Sequence, residues 1–522
     1  MRSRLLAWAA SAVLLPLVGA GTAMADVVPG TQAVGQTAAS QQTANADATS
    51  TQVKPTNQNI SVRVLSPGDD GAVTQSNTSA ADAAAANANA AVQAATQAAP
   101  AAGGTQAVGQ AAQNTQAADA DATSTQVKPT NQNISVRVLS PGDDGSVDQS
   151  NTSAAEAVAA NANKTAQAAQ QVAGGGGGGS QAIGQEASNH QDADADATSV
   201  QDHPSNVNVP VRVLSPGDGG DVEQSNDSSA TSAAVNANKT VQKAAQDQGG
   251  ETPVGDGHDG APAPCGCDPA PCGCDHAQPA TGVQAIGQEA KNHQDANADA
   301  KSKQIGAKNV NAPVRVLSPG DDGDVSQSNT SFAGALAANT NATGQFAQQA
   351  QGGLGSGAVG IQAVGQRAVN DQDAAADAKS IQIGATNINA PVRVFSPGGG
   401  GDVSQSNDSF AGALALNKNA TGQIALQAQG GLGPGAVGIQ AIGQDADNSQ
   451  EADAAATSLQ LWPTNINAPV SIGDGKKEAR PAYGDGKEPK EGGDGSVDQA
   501  NDSAALAAAL NANLTRQFAL QV

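Results

Sequence analysis

The residues best suited to bind or react lie in one short segment. Cys265, Cys267, Cys272 and Cys274 are the only cysteines of the chain, and they fall in a doubled Ala-Pro-Cys-Gly-Cys-Asp string. Two Cys-x-Cys pairs in an exported protein oxidise to disulfides by default. With His258 and His276 close by, the same thiolates form a soft donor set for Zn(II) or Cu(I). The spacing is not that of a zinc ribbon, so disulfides are expected ahead of a metal. Paired aspartates follow Ser-Pro-Gly at Asp69 and Asp70, Asp143 and Asp144, and Asp321 and Asp322. Clustered carboxylates on turns suit calcium, but the spacing fits neither an EF-hand nor a nonapeptide calcium repeat, and polar turns account for it. Asn-x-Ser/Thr recurs at Asn77, Asn151, Asn226, Asn329, Asn407 and Asn501, which would be glycan acceptors if they were on the surface. His190 and His293 occupy equivalent places and read as exposed substitutions. No metalloprotease, nucleophile-elbow or phosphate-loop signature is found, so neither an enzyme nor a cofactor is expected.

The surrounding sequence gives those asparagines another origin. From Gln405 every second residue reads Gln405, Asn407, Ser409, Ala411, Ala413, Ala415, Asn417, Asn419, Thr421, Gln423. The same series starts at Gln75, with Asn77, Asn87 and Asn89, and again at Gln149, Gln224, Gln327 and Gln499. A second series precedes each, opening on a Gln-Ala-Val/Ile-Gly-Gln box at Gln32, Gln106, Gln181, Gln284, Gln362 and Gln440. A period of two puts all these side chains on one face of a β-strand and would scatter them around a helix. Between the two series lies a β-branched stretch and a Pro-Gly turn, such as Val62-Arg63-Val64-Leu65-Ser66-Pro67-Gly68. In the sixth copy this becomes Val470-Ser471-Ile472-Gly473.

Of the 522 residues 38% are hydrophobic and only 2% aromatic, and most of the apolar fraction is alanine. A core of large side chains is out of reach. The chain must fold through backbone ladders and stacked small or amide side chains, or stay disordered. Local alanine runs such as 80–95 favour helix, but strict parity argues against both helix and disorder. We expect an all-β fold: a repetitive β-solenoid or flattened two-sheet stack of strand–arc–strand units, in six tandem repeats with Gly/Pro-rich linkers. The divisions are a leader at 1–25, repeats at 26–102, 103–174 and 175–248, a Cys/Pro/Gly-rich linker at 249–282, and repeats at 283–352, 353–430 and 431–522. The last carries a charged insertion at 473–495. A straight strand as long as one ladder would span roughly 70 Å, so each ladder is expected to bend within itself, near Gly35 or 44–48 and near Asn87 and Asn89. The off-ladder face turns apolar towards the C-terminus, at Phe410, Leu414, Leu506 and Phe518. It is expected to pack on a neighbouring sheet of the same molecule.

Arg2 and Arg4, the apolar run 5–18 and Ala23-Met24-Ala25 make a secretory leader cleaved near Ala25. The expected location is therefore secreted, extracellular or on the cell surface. Loss of two arginines leaves 23 basic against 49 acidic residues, a net charge of −26. That excludes nucleic acid and anionic lipid as partners, and no run is long and apolar enough for a membrane span.

The strings Gln284-Ala-Ile-Gly-Gln-Glu-Ala-Lys-Asn-His-Gln294 and Val325-Ser-Gln-Ser-Asn-Thr-Ser331 resemble curlin-type repeats, although the spacing of Gln and Asn rungs differs. The chain also looks like secreted Ala/Asn/Gln-rich repeat proteins of high-GC bacteria. The first resemblance implies an extracellular fibre subunit that adds by strand pairing. The expected role is thus a non-catalytic matrix, spore or cell-surface fibre or coat component that self-associates and meets envelope or matrix components. The alternative is a monomeric extended adhesin or ligand-binding repeat protein.

Overall fold

The computed structural model describes residues 23–24, 31–99, 104–173, 179–249, 281–352, 357–430, 433–473 and 495–522. Among them the regular structure is all strand, with no helix. Each sequence repeat forms one coil. In the second coil a leading strand, Thr105–Val127, is followed by a short strand, Thr130–Val138, and a returning strand, Val147–Ala173. The coils stack in parallel. The leading strands build a six-stranded sheet and the returning strands a second sheet, to whose edge the dipeptide Ala23–Met24 adds at Ala95 and Thr96. The short strands build a third sheet. In coils four to six these short strands divide in two, as at Lys308–Asn311 and Val314–Val316, around prolines such as Pro313 that have no N–H to give the ladder.

Register follows residue identity. Gln149, Asn151, Ser153 and Ala155 pair with Gln224, Asn226, Ser228 and Ala230, and those pair with Gln327, Asn329, Ser331 and Ala333. The ladder side chains all point inward, where the leading and returning sheets face each other. A shift of one residue would put every amide outside and every charge inside. The centre of the interior is alanine, as at Ala120, Ala157, Ala195 and Ala230, which lets the sheets approach closely. Ser79 accordingly touches Ser50 at 2.9 Å and Ser124 at 3.0 Å across the gap. These two contacts also place each returning strand midway between two leading strands. The stack therefore ends on a leading strand, Thr31–Val53, at one end, and on a returning strand, Val497–Gln521, at the other. The latter is exposed along almost its whole length.

Arcs do join the strands, but they fall between the ladders. The ladders themselves are single strands, such as the 23 residues of Thr31–Val53 and the 27 of Val73–Ala99, so Gly35, 44–48, Asn87 and Asn89 are extended. The alanine run at 80–95 is strand too, because its alternate residues are buried between sheets. The first corner of each coil turns on one left-handed residue: Lys54, Lys128, His203, Gly306, Gly384 or Trp462. The second turns on Leu65, Leu139, Leu214, Leu317, Phe395 or Gly473. The first corner takes two residues, as 54–55 between Val53 and Thr56, and the second takes eight, as 65–72 between Val64 and Val73.

A second expectation is corrected by the facing of the sheets. Phe410, Leu414, Leu506 and Phe518 do not pack on a neighbouring sheet. Interior positions are taken by the amide ladder, so their side chains project from the outer face, where Leu506 is 63% exposed.

Candidate functional site

The inner side chains form columns along the stack. In the column of Gln75, Gln149 Nε2 donates to Gln75 Oε1 at 2.7 Å, Gln224 to Gln149 at 2.8 Å, Gln327 to Gln224 at 2.8 Å and Gln405 to Gln327 at 2.7 Å. Gln423 donates likewise to Gln345 at 2.8 Å. Many of the glutamines use their other amide hydrogen on a carbonyl of a facing strand, as Gln110 does on Ala168 O at 3.0 Å. That contact fixes which end of the amide is nitrogen.

The asparagine columns run the other way. Asn77 Nδ2 donates to Asn151 Oδ1 at 3.0 Å, Asn151 to Asn226 at 2.9 Å, and Asn407 to Asn501 at 2.8 Å. Asn87 donates to Asn161 at 3.0 Å and Asn89 to Asn163 at 2.9 Å. Asn417 and Asn419 donate to Asn511 and Asn513 at 3.1 and 2.9 Å. Asn161, Asn236, Asn339 and Asn417 also donate to the carbonyls of Asp192, Asp295, Asp373 and Glu451 in the facing sheet. A buried amide is costly unless paired, and here one column satisfies the next coil's amide with the last coil's. Asn77, Asn151, Asn226, Asn329 and Asn407 are buried in these columns, where a glycan has no room.

Beside the short strands stands a column of arginines that sequence reasoning missed. Arg137, Arg212 and Arg315 are almost wholly buried. Asp70 bridges Arg63 and Arg137 at 2.7 and 3.0 Å. Asp144 bridges Arg137 and Arg212 at 3.1 and 2.8 Å, and Asp322 bridges Arg315 and Arg393 at 2.8 and 2.9 Å. Three carboxylates thus serve five guanidinium groups, because Gly219 and Gly400 stand where the third and fifth coils would have an aspartate. Burial pushes Asp70 up, but hydrogen bonds from Arg137 and Ser135 and the charges of Arg137 and Arg63 outweigh it and hold the carboxyl below its ordinary range. A partial signal was available: Arg and Asp recur seven residues apart in copies one, two and four. The other turn aspartates accept from the next coil's backbone: Asp69 from Asp143 N at 2.9 Å and Asp143 from Asp218 N at 2.8 Å. These bonds give the Asp-Asp turns a structural use.

The outer face of the leading sheet is a field of carboxylates. Asp119 pairs in register with Asp194, and Asp121 with Asp196. Asp192 pairs with Asp295, and Asp196 with Asp299. Burial first, then the charges of Asp196, Asp119, Asp192 and Asp121, push Asp194 up to about 6. Burial and neighbouring aspartates also raise Asp121, Asp196 and Asp295. His190 and His293 stack in the same face with ring centres 4.9 Å apart, and His293 Nδ1 lies 3.1 Å from Asp371. Among the described residues no group of three or more His, Cys, Asp or Glu is arranged to hold a metal ion. Cys265, Cys267, Cys272 and Cys274 lie outside the described residues. No helix among the described residues is long and apolar enough to cross a membrane.

Buried side-chain atoms without a partner occur inside the stack, at Asn114, Ser232 and Arg393, and further ladder groups are left open at its two ends. At the first coil Gln97 is wholly buried, yet its Nε2 has no partner. In the last coil Gln521 donates to Gln427 at 2.8 Å, and its own Oε1 closes the column. The outer edges of Thr31–Val53 and Val497–Gln521 carry backbone groups that every interior strand pairs. Against this geometry no known protein family matches the chain, and neither does any curated protein or solved structure.

Proposed function

We propose that this chain is a secreted, non-catalytic structural protein, a subunit of an extracellular matrix, spore or cell-surface fibre or coat that assembles through its β-strand edges and amide ladders. The observation that carries the reading is the pair of strand edges, on Thr31–Val53 and Val497–Gln521, that no described residue pairs. Stacked-repeat proteins that stay monomeric close their ends with a polar cap or a covering element. Among the described residues both terminal coils here present long, regular strand edges, and the last is exposed on both faces. The resemblance to curlin-type repeats points to the same class of activity, and the leader with its Ala25 cleavage motif belongs to the same reading.

Purified protein beginning at Asp26 should elongate into thioflavin-positive fibres seen by electron microscopy. A monodisperse monomer at all concentrations would remove the proposal. That result would favour the second reading, a monomeric adhesin or ligand-binding repeat protein. Its support is the apolar outer field of coils four to six, where Phe332 and Phe410 stack at 5.5 Å beside exposed Leu414, Leu506 and Leu510.

A further inference from the structure

The two ends are not alike, and their difference fits them to each other. At the last coil the glutamines have spent an amide hydrogen on the coil beneath, as Gln517 does on Gln423 at 2.7 Å and Gln460 on Gln382 at 2.7 Å. Their Oε1 atoms face outward as acceptors. Asn513 has accepted from Asn419, and its Nδ2 has no acceptor in the stack. At the first coil the order is reversed. Gln97 keeps a buried, unpaired Nε2 donor, while Asn87 and Asn89 have spent donors on the coil above and offer Oδ1. We propose that the last coil of one copy docks in register on the first coil of a second copy, giving a polar head-to-tail filament. This rests on the assembly reading above and specifies its partner and direction.

Residue identity continues across such a junction. Interior register would set Gln460 on Gln52, Ser458 on Ser50, Asn501 on Asn77, Asn513 on Asn89, Gln517 on Gln93 and Gln521 on Gln97. Backbone parity continues as well. In the first coil Val73 N donates to Ser146 O of the second. The equivalent Val497 N of the last coil lies on the outward edge and takes the same bond to a following copy. Head-to-head or tail-to-tail contact would set acceptor on acceptor and donor on donor. A heterologous contact of this kind does not close, so it propagates.

The charges agree with this register. On the last coil Asp445, Asp447, Glu451 and Asp453 would lie over Thr37, Ala39, Thr43 and Asn45. The first coil's own Asp47 and Asp82 would lie under Ala455 and Leu506. Among the described residues of the leading and returning strands, no acid meets an acid. Inside the molecule the third and fourth coils stack Glu186 on Glu289 and Asp192 on Asp295, so the junction carries less like-charge repulsion than an interior step.

The test uses two end-blocked variants of the chain beginning at Asp26, which lacks the Ala23–Met24 dipeptide paired at Ala95 and Thr96. Ala507→Pro removes an outward N–H of the last returning strand, and Ala39→Pro does so on the first leading strand. Proline on an edge costs no interior bond and obstructs a docking strand. Each variant alone should stay monomeric, and an equimolar mixture should stop at dimers. Long fibres from either variant alone, or a mixture that stays monomeric while the unaltered chain polymerises, would overturn the head-to-tail junction and leave the assembly reading standing. An unaltered chain that never polymerises overturns both. Should a variant lose its β circular-dichroism signal, fibres of the unaltered chain decide the matter. Six coils at about 4.8 Å give a subunit repeat of about 29 Å along a polar axis. A different repeat, or a filament with twofold axes across it, refutes the junction.

Discussion

At the scale of the residue, the molecule replaces an oily interior by amides that satisfy one another. Asn151 shows what each contributes. It is fully buried, donates to Asn226 at 2.9 Å and Asn206 at 3.0 Å, and accepts from Asn77 and Asn131. Asn151→Ala takes an acceptor from Asn77 and Asn131 and a donor from Asn206 and Asn226, and is expected to cost about 3 kcal/mol. Asn513→Ala, at the exposed end with one column bond, should cost about 1 kcal/mol. Chemical denaturation of the two variants checks this, and equal losses would show that column position is immaterial. The carboxylate field gives a pH dependence of definite sign. Burial and the neighbouring aspartates push Asp194 up to about 6 in the folded state, from an ordinary 3.8, so the folded state binds the proton more tightly. Its favourable contribution is full below about pH 4 and is lost as pH rises through 6. Asp70 acts oppositely, because its folded pKa is lowered. Its contribution is present above 3.8 and disappears as pH falls through the depressed value. Stability should therefore be higher near pH 5 than at pH 8, and Asp194→Asn should flatten that difference. A variant whose melting temperature keeps the parent's pH slope would show that the like-charge column does not matter.

At the scale of the element, the long strands are straight because the corners do the bending, and the corners are where stability can be moved in both directions. Lys128 sits at φ 53°, a conformation that costs a residue with a Cβ about 1 kcal/mol. Lys128→Gly relieves it and is expected to raise the denaturation midpoint slightly. Gly142 sits at φ 138°, and a Cβ there would come within 2.3 Å of the Gly68 carbonyl oxygen of the coil beneath. Gly142→Ala should cost about 3 kcal/mol, and a neutral result would mean that the turns are not in stacking contact. This contrast explains what the sequence could tell. Parity at Gln405, Asn407, Ser409 and Ala411 is a local signal and carries strand and register together. The corners are not so encoded. A left-handed residue written as Lys, His, Leu or Trp carries no Gly or Asn signature, so the bend was expected inside the ladders, where Gly35 offered one. The arginine column was equally obscure. Its guanidinium groups meet Asp70, Asp144 and Asp322 only when coils stack, and Gly219 and Gly400 interrupt the Arg–Asp spacing in two copies. The outward apolar face was misjudged because alternation says that two faces differ, while only the closed coil decides which is inside.

At the scale of the whole molecule, the fold is a one-dimensional stack in which each coil meets only its neighbours, and length should therefore be additive. Excising residues 106–180 joins Thr105 to Gln181, the start of the next copy of the same box. The deletion removes one coil and leaves most remaining inner columns with matching rungs, since Gln36, Gln42 and Gln52 then lie beneath Gln185, Gln191 and Gln201 as Gln110, Gln116 and Gln126 did. The shortened chain should keep its β circular-dichroism spectrum. Small-angle scattering of the monomer should show an axis shorter by about 4.8 Å, one strand spacing. Fibres, where they form, should show their subunit repeat reduced from about 29 to about 24 Å. An intermolecular ladder whose repeat did not shorten would mean that the copies meet side by side. Loss of folding on deletion would mean that the coils are not interchangeable, although their inner faces are written in nearly the same residues. The first coil departs from that uniformity at Ser40 and Ala91, where the others have an Asn and a Thr, and above it Asn114 is buried with both amide atoms unpaired. With the second coil excised, Asn189 takes that place but keeps its Nδ2 bonds to Thr240 and Asn292, and only its Oδ1 loses the donors Asn163 and Thr165. The shortened chain should therefore carry no more orphaned amide atoms than its parent and melt close to it.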